Sequence, residues 1–297
     1  MQKITNLDEI LCNYDAIFSD IWGVIHNSVT PFKASVKALK AARAKGVKVI
    51  LITNAPSSAS QVINHLKNVI QAEDGFYDDI ITSGDVAAAI IKKWTANGQK
   101  CFHLGLRDSD TEAVQPDFSE LVDLDKADYV LCTFLAEKNE VDLQDYLPLL
   151  TQMKQKNLPF LCSNPDNVVD VGGTLYYCAG ALAALYKQLG GEVIYTGKPH
   201  SQIYQIALDK LAKLLPETKI DPKKILVIGD GLATDVPGAN KLGADMLFVA
   251  DGIHAREFEQ SEKHTGGDVF SDDFTNFIEQ QIKLKGVDVK YYLAQLK

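Results

Sequence analysis

The sequence predicts an α/β fold in which helices cover both faces of a parallel sheet. Short apolar runs recur along the whole chain, and stretches with apolar residues at three-to-four spacing separate them. This alternation of strand and helix is typical of doubly wound parallel sheets. At 297 residues the chain has the length of two domains, taking roughly 150 residues for each.

The composition is that of an ordinary globular protein, with 46% hydrophobic and 23% charged residues. A formal net charge of −9 predicts no basic surface for nucleic acid or an anionic membrane. No segment approaches the ~18 apolar residues of a membrane span, and the start of the chain has no apolar signal core. We therefore expect a cytoplasmic protein. Four of the five cysteines lie in apolar stretches, which favours buried thiols in a reducing compartment: Cys101, Cys132, Cys162 and Cys178.

Nine apolar runs are predicted strands: 15–20, 47–53, 78–83, 100–106, 128–135, 159–163, 192–196, 224–229 and 244–249. Amphipathic helical patterns lie between them, and several stop at glycine, as helix C-termini often do. The C-terminal YYLAQLK predicts a short amphipathic helix that closes the core. An alternative interpretation of the same tail is that it forms a contact in a homodimer.

Polar side chains follow several of these predicted strands. Asp20 ends the first run, while Thr53 ends the second and Asn54 follows it. Asp230 follows the run 224–229, and Lys198 lies just past the run 192–196. Ligands of open parallel sheets bind beyond the carboxyl ends of the strands. We therefore expect these groups to form one site.

An exposed carboxylate such as Asp20 can attack phosphorus and form an acyl-phosphate that water hydrolyses. Several carboxylates at one point repel each other, so the site predicts a hard cation, and Mg²⁺ suits oxygen ligands beside a phosphate. Thr53 and Asn54 can donate hydrogen bonds to phosphate oxygens, while Lys198 offers a positive charge. Asp235 has two readings, as a further ligand or as an acid in the first turn of a helix.

Four stretches in this order, FSDIWGV, LITN, TGKP and GDGLATD, resemble the motifs of the haloacid dehalogenase-like (HAD) superfamily of aspartate-nucleophile phosphatases. The chain is most similar to the NagD-like, or p-nitrophenylphosphatase-like, branch of class IIA. Three further stretches resemble that branch: ITSGDVAAAI, SNPD and AGALAALYKQLGG. The resemblance implies a Rossmann-like core of residues 1–84 and 191–297, with an inserted α/β cap of residues 85–190.

The resemblance also implies a reaction and a role for each motif residue. The reaction is Mg²⁺-dependent hydrolysis of a small phosphomonoester, such as a sugar phosphate, through an aspartyl-phosphate on Asp20. The implied metal ligands are Asp20, the backbone carbonyl of Trp22, Asp230 and Asp235. The implied groups for the transferring phosphoryl are Thr53, Asn54 and Lys198.

The pattern breaks at Trp22, where the phosphatases of this family carry a second Asp that protonates the leaving group. Indole is neither a useful acid near neutral pH nor a base. His26, just past the turn at Gly23, is our candidate for a substitute acid, and its other reading is a polar or packing residue of that loop. The alternatives are a phosphotransferase, an enzyme for good leaving groups, or a catalytically impaired protein that binds phosphorylated metabolites. Asp166 of SNPD either faces the site or forms an Asx turn.

Overall fold

A computed structural model describes residues 1–27, 30–105, 121–135, 142–171, 174–252 and 272–297. The chain divides into two compact units. The first, called here the seven-stranded unit, comprises Met1–Thr53, His65–Ile81 and Tyr204–Lys297. The second, the four-stranded unit, comprises Asn54–Asn64 and Thr82–Ile203. The predicted boundaries 1–84, 85–190 and 191–297 stay predictions.

The strands in chain order are β1 Gln2–Lys3, β2 Ala16–Ser19, β3 Lys48–Thr53, β4 Asp79–Thr82, β5 Cys101–Leu104, β6 Tyr129–Cys132, β7 Phe160–Cys162, β8 Val168–Val171, β9 Thr174–Tyr177, β10 Val193–Tyr195, β11 Ile225–Gly229, β12 Asp245–Val249 and β13 Tyr291–Leu293. The α-helices are α1 Lys33–Ala44, α2 Ala59–Asn68, α3 Ser83–Ala96, α4 Leu147–Gln155, α5 Ala179–Gln188, α6 Ser201–Leu214, α7 Asp235–Leu242 and α8 Asp272–Lys285. The α/β class predicted from the sequence is confirmed.

The large sheet has the strand order β1-β13-β12-β11-β2-β3-β4. Strand β2 lies next to the central strand β11, with which it pairs in parallel on one side, and it pairs in parallel with β3 on the other. From β2 the chain passes through α1 to β3, whereas from β11 it passes through α7 to β12 on the opposite side. The direction of winding therefore reverses between β2 and β11. In doubly wound sheets such a switch point is where ligands bind.

The residues of the central strands explain why they form the middle of the sheet. All four residues of β2 and all five of β11 are buried, as expected where helices cover both faces of a parallel sheet. Helix α1 buries Val36, Leu39 and Ala42, which recur every three residues on one face. Helix α7 ends at Gly243, whose φ of 77° is the left-handed conformation that glycine adopts without strain.

The four-stranded unit has its own parallel sheet, with the order β10-β7-β6-β5, and the antiparallel pair β8–β9. The core on one face includes Phe160 and Tyr186, whose rings stack with centroids 5.3 Å apart. The Tyr186 hydroxyl donates to the Leu158 carbonyl at 2.7 Å, so its polar end is satisfied inside the core.

All nine predicted strands are present, each described end lying within three residues of its predicted position, and residue 106 lies outside the described residues. The predicted C-terminal helix is wrong, because Tyr291–Leu293 forms β13 beside β12. Tyr291 and Leu293 are the buried residues of this strand, a period of two that favours a strand. The four cysteines in apolar stretches are buried, as predicted, while Cys12 is exposed. None of the described helices is both long and apolar enough to cross a membrane.

Candidate active site

Three carboxylates meet at the switch point of the seven-stranded unit. Asp20 directly follows β2, Asp230 directly follows β11, and Asp235 is the first residue of α7. One carboxylate oxygen from each lies within 4.8 Å of the other two. The three residues are 9%, 6% and 1% exposed, in that order. The chain thus gathers negative charge in a mostly buried place, which requires compensation.

Backbone groups fix two of these carboxylates. The Ile21 N–H donates to Asp20 Oδ1 at 2.7 Å, and the Gly231 N–H donates to Asp235 Oδ2 at 3.0 Å. The Asp20 N–H continues the sheet ladder by donating to the Ile228 carbonyl at 2.8 Å. The position of Asp20 is therefore set by the last rung of the parallel sheet.

Glycines allow the backbone to approach the carboxylates. A Cβ on Gly23, which has a φ of 79°, would lie 2.1 Å from Asp230 Oδ2, and one on Gly252 would lie 2.2 Å from the same atom. A Cβ on Gly229 would lie 2.2 Å from Asp235 Cγ. Sequence reasoning noted the turn at Gly23 but missed Gly252, since nothing in the sequence relates a glycine after β12 to Asp230.

The donor set fits a divalent cation. Carboxylate oxygens are hard ligands, which suit Mg²⁺ or Ca²⁺. Two oxygens on opposite sides of a Mg²⁺ ion are roughly 4.2 Å apart, from a metal–oxygen distance of about 2.1 Å. Adjacent ligands of such an ion are roughly 3.0 Å apart, so the oxygens of Asp20, Asp230 and Asp235, which lie within 4.8 Å of one another, would have to move inward to surround one ion. These residues can therefore hold such an ion together.

The loop after Asp20 carries two rings that form a row with a ring of α2, and of the three only that of His26 is buried. The His26 ring centroid lies 5.2 Å from that of Trp22 and 5.8 Å from that of His65, a residue of α2. His26 is 2% exposed. Burial, with a smaller effect of His65, lowers the pKa of His26 to about 4. The imidazole is therefore neutral at neutral pH, which counts against His26 as the leaving-group acid. Sequence reasoning missed His65, which carries no motif signal.

Thr53 ends β3, the strand next to β2, and is 6% exposed. It belongs to the seven-stranded unit, as do the three carboxylates and Trp22. A hydroxyl at the carboxyl end of a strand neighbouring that of Asp20 is the arrangement that the sequence predicts.

Asn54 and Lys198 lie together in the four-stranded unit, and each is 3% exposed. The Asn54 Oδ1 accepts from the Lys198 backbone N–H at 2.7 Å. The Asn54 Nδ2 donates to the Lys198 carbonyl at 3.2 Å and to Asp166 Oδ1 at 2.9 Å. The Asx turn in SNPD is formed by Asn164, whose Oδ1 accepts from the Asp166 N–H at 3.2 Å. The Asp166 side chain instead accepts from Asn54.

Fold and site together define a Rossmann-like α/β protein with an acidic cluster, whose oxygen atoms suit a divalent cation, at the carboxyl ends of its central strands. The family profile described as haloacid dehalogenase-like hydrolase matches residues 17–119, and a second HAD-hydrolase-like profile matches residues 195–276. A crystal structure of a haloacid dehalogenase-like hydrolase from Brucella suis 1330 is 40% identical, covering 85% of this chain and 91% of that one, with a TM-score of 0.79. The chain belongs to the haloacid dehalogenase-like hydrolase family.

Two further relatives carry phosphatase names. Ribonucleotide monophosphatase NagD of Escherichia coli K12 is 24% identical over 241 residues, which are 80% of this chain and 88% of that protein. The structure of a possible sugar phosphatase from Cytophaga hutchinsonii shares the fold, at 22% identity and a TM-score of 0.72, covering 99% of this chain and 98% of that one. The predicted resemblance to NagD-like phosphatases of the HAD superfamily is confirmed.

Proposed function

We propose that the protein is a Mg²⁺-dependent phosphatase that hydrolyses small phosphomonoesters through an aspartyl-phosphate on Asp20. The observation that carries this proposal is the cluster of Asp20, Asp230 and Asp235 at the switch point of the parallel sheet. The Asp20 carboxylate supplies the nucleophilic oxygen that the reaction needs. Its neighbours Asp230 and Asp235 attract the cation that the reaction also needs. Family membership supports the same class of reaction.

The proposed metal ligands are the carboxylates of Asp20, Asp230 and Asp235 and the backbone carbonyl of Trp22. When bound, Mg²⁺ neutralises negative charge on the carboxylates and on the phosphoryl oxygens. Replacement of the side chain at position 22 leaves a carbonyl ligand available, because every residue carries that group. The loss of the second Asp therefore affects acid–base chemistry more than metal binding.

In the proposed reaction, a carboxylate oxygen of Asp20 forms a bond to phosphorus while the bond from phosphorus to the leaving-group oxygen breaks. Water then attacks the phosphorus of the aspartyl-phosphate, which releases inorganic phosphate and restores the carboxylate. We assign the Thr53 hydroxyl and the Lys198 ammonium to the phosphoryl oxygens, because a donor and a positive charge stabilise the charge of the transition state.

The leaving group must take a proton when it departs as an alkoxide. Trp22 supplies none, and a His26 pKa of about 4 leaves only about one imidazole in 10³ protonated at neutral pH. General acid–base help is typically worth about 10²–10⁴-fold in rate. We therefore propose that alkyl phosphates such as sugar phosphates turn over slowly, and that esters with good leaving groups turn over faster.

The proposed substrates are small phosphorylated metabolites, and two relatives carry names of that kind, a ribonucleotide monophosphatase and a possible sugar phosphatase. The net charge of −9 does not favour nucleic acid as a partner, because binding to its phosphates depends on positive charge. A cytoplasmic location and a homodimer stay predictions. Trp22 favours a second candidate function, a phosphometabolite-binding protein or a phosphotransferase on the same fold.

The test is turnover of p-nitrophenyl phosphate and of a panel of sugar phosphates, with Mg²⁺ and with a chelator. The p-nitrophenolate leaving group needs little protonation, whereas a sugar alkoxide needs much. We expect Asp20→Asn to lower kcat by at least about 10³-fold, since the nucleophile is removed. Asp15→Asn is the matched control, because Asp15 precedes the same strand at its opposite end, and we expect activity within about twofold of wild type.

The substrate panel separates the alternatives. Mg²⁺-dependent cleavage of the aryl ester, with much slower cleavage of sugar phosphates, supports the proposal. If His26→Ala selectively removes the sugar-phosphate activity, His26 is the acid after all, and its neutral state in this structure is not the reacting one. Phosphoryl transfer to an added alcohol in preference to water identifies a phosphotransferase. Absence of Mg²⁺-dependent turnover from every ester favours the binding protein.

A further inference from the structure

The side chain of Asn54 is fully engaged in holding other residues of the four-stranded unit. Its Oδ1 accepts from the Lys198 N–H at 2.7 Å, and its Nδ2 donates to the Lys198 carbonyl and to Asp166. A primary amide has two N–H donors, and both are used here. The Asn54 side chain therefore has no N–H left for a phosphate oxygen, which counts against the direct phosphate-binding role that the sequence predicts for it.

We propose that Asn54 is a positioning residue that acts through Lys198. The amide bridges the N–H and the carbonyl of one residue, so it fixes the backbone from which the Lys198 side chain extends. This inference rests on the proposed function, in which the Lys198 ammonium binds the transferring phosphoryl group. Misplacing a catalytic group by about 1 Å can lower a rate by about 10²-fold.

The segment around Lys198 is built for this contact. A Cβ on Gly197 would lie 2.3 Å from Asn54 Oδ1, so only glycine lets the backbone come this close. The rings of Tyr195 and His200 stack in parallel, with centroids 4.6 Å apart, and so join the two ends of the segment 195–200. The Asn54 amide and this ring pair therefore hold the same short segment at different points.

Asn240 offers a matched control. Its Oδ1 accepts from the Asp288 N–H at 2.7 Å, and its Nδ2 donates to the Asp288 carbonyl at 2.8 Å. The bonding pattern is the same as that between Asn54 and Lys198, but Asp288 has no role in the proposed reaction. Asn240→Ala thus removes an equivalent bridge without touching the phosphate-binding segment.

The experiment is a double-mutant cycle of Asn54→Ala and Lys198→Ala, with kcat/KM for p-nitrophenyl phosphate as the readout. We expect Asn54→Ala to lower kcat/KM by about 10–100-fold, and Asn240→Ala to leave it within about twofold. In the Lys198→Ala background, Asn54→Ala should cost less than about threefold more, because the group that it positions is already gone. Additive losses, or wild-type activity of Asn54→Ala, overturn the proposal.

A second readout needs no turnover. Hydrogen exchange of the Lys198 backbone amide, measured on the free protein, should be at least about tenfold faster in Asn54→Ala, since its acceptor is removed. Unchanged exchange in a folded variant overturns the proposal even if activity falls. If wild type itself hydrolyses no ester, the proposed function fails, while the exchange rate still decides whether Asn54 fixes the backbone of Lys198.

Discussion

In the seven-stranded unit three carboxylates crowd within 4.8 Å of one another, whereas in the four-stranded unit one amide meets donors and acceptors that match its own. The first region holds negative charge that its described contacts with backbone N–H groups offset only in part. The second is a hydrogen-bonded bridge in which both amide hydrogens are used. In the first region, the repulsion between carboxylates lowers the stability of the fold but favours the proposed binding of a cation. In the second, the same hydrogen bonds stabilise the segment and hold Lys198 in place.

This contrast explains why the two regions use glycine differently. Around the carboxylates, Gly23 and Gly252 bring backbone against a charged oxygen of Asp230. Beside the amide, Gly197 brings backbone against a neutral oxygen of Asn54. A side chain added in the first region displaces a proposed metal ligand, while one added in the second displaces a hydrogen-bonded support.

Among the changes that test this contrast, the largest effect is expected for Gly23→Ala. The new methyl group would overlap Asp230 Oδ2, so we predict a loss of Mg²⁺-dependent turnover of about 10²-fold or more. Gly98→Ala is the matched control, because Gly98 has a similar φ of 76° with nothing within 4 Å of the added methyl. It should lose about 1 kcal/mol of stability and little activity. Equal activity losses in both variants would mean that backbone strain, and not the contact with Asp230, matters.

The next effect is on thermal stability and tests the crowding of the carboxylates. Mg²⁺ at about 100 times its Kd should stabilise the protein by about 2.7 kcal/mol, which is about 5–10 °C in the melting temperature. Asp230→Asn should lose most of this shift and, in chelator, should melt no lower than wild type because repulsion is relieved. Asn54→Ala should keep the full shift. A shift that survives in Asp230→Asn would place the ion elsewhere.

The contrast also bears on what sequence can predict. Asp20, Asp230 and Thr53 were predictable because each follows an apolar run, and parallel strands bring such ends together. Asn54 was predicted as a site residue, yet its bridge was not, since its partners lie 112 and 144 residues away along the chain. The strands β1 and β13 were missed because two or three residues are too few to reveal a period in the sequence alone, and the pair β8–β9 was missed as well.

The smallest expected effect concerns the buried ring of His26. Its folded pKa of about 4 lies below the unfolded value of about 6.5, so the unfolded chain binds more protons between these values. Its contribution to stability is therefore complete above about pH 6.5 and is lost as the pH falls toward 4. Between about pH 7 and pH 5 this group should lower the free energy of unfolding by about 2 kcal/mol.

Urea unfolding of wild type and of His26→Gln at these two pH values, in chelator, measures that contribution. The variant should lose the His26 part of the pH dependence because glutamine does not titrate. The control is His65→Gln, since burial also lowers the pKa of His65 but the residue is less enclosed, and it should remove a smaller part. If wild type and His26→Gln share one pH dependence, the pKa of His26 in the folded protein lies near the unfolded value of about 6.5, and not near 4. The imidazole would then again be a candidate for the proton donor that Trp22 cannot replace.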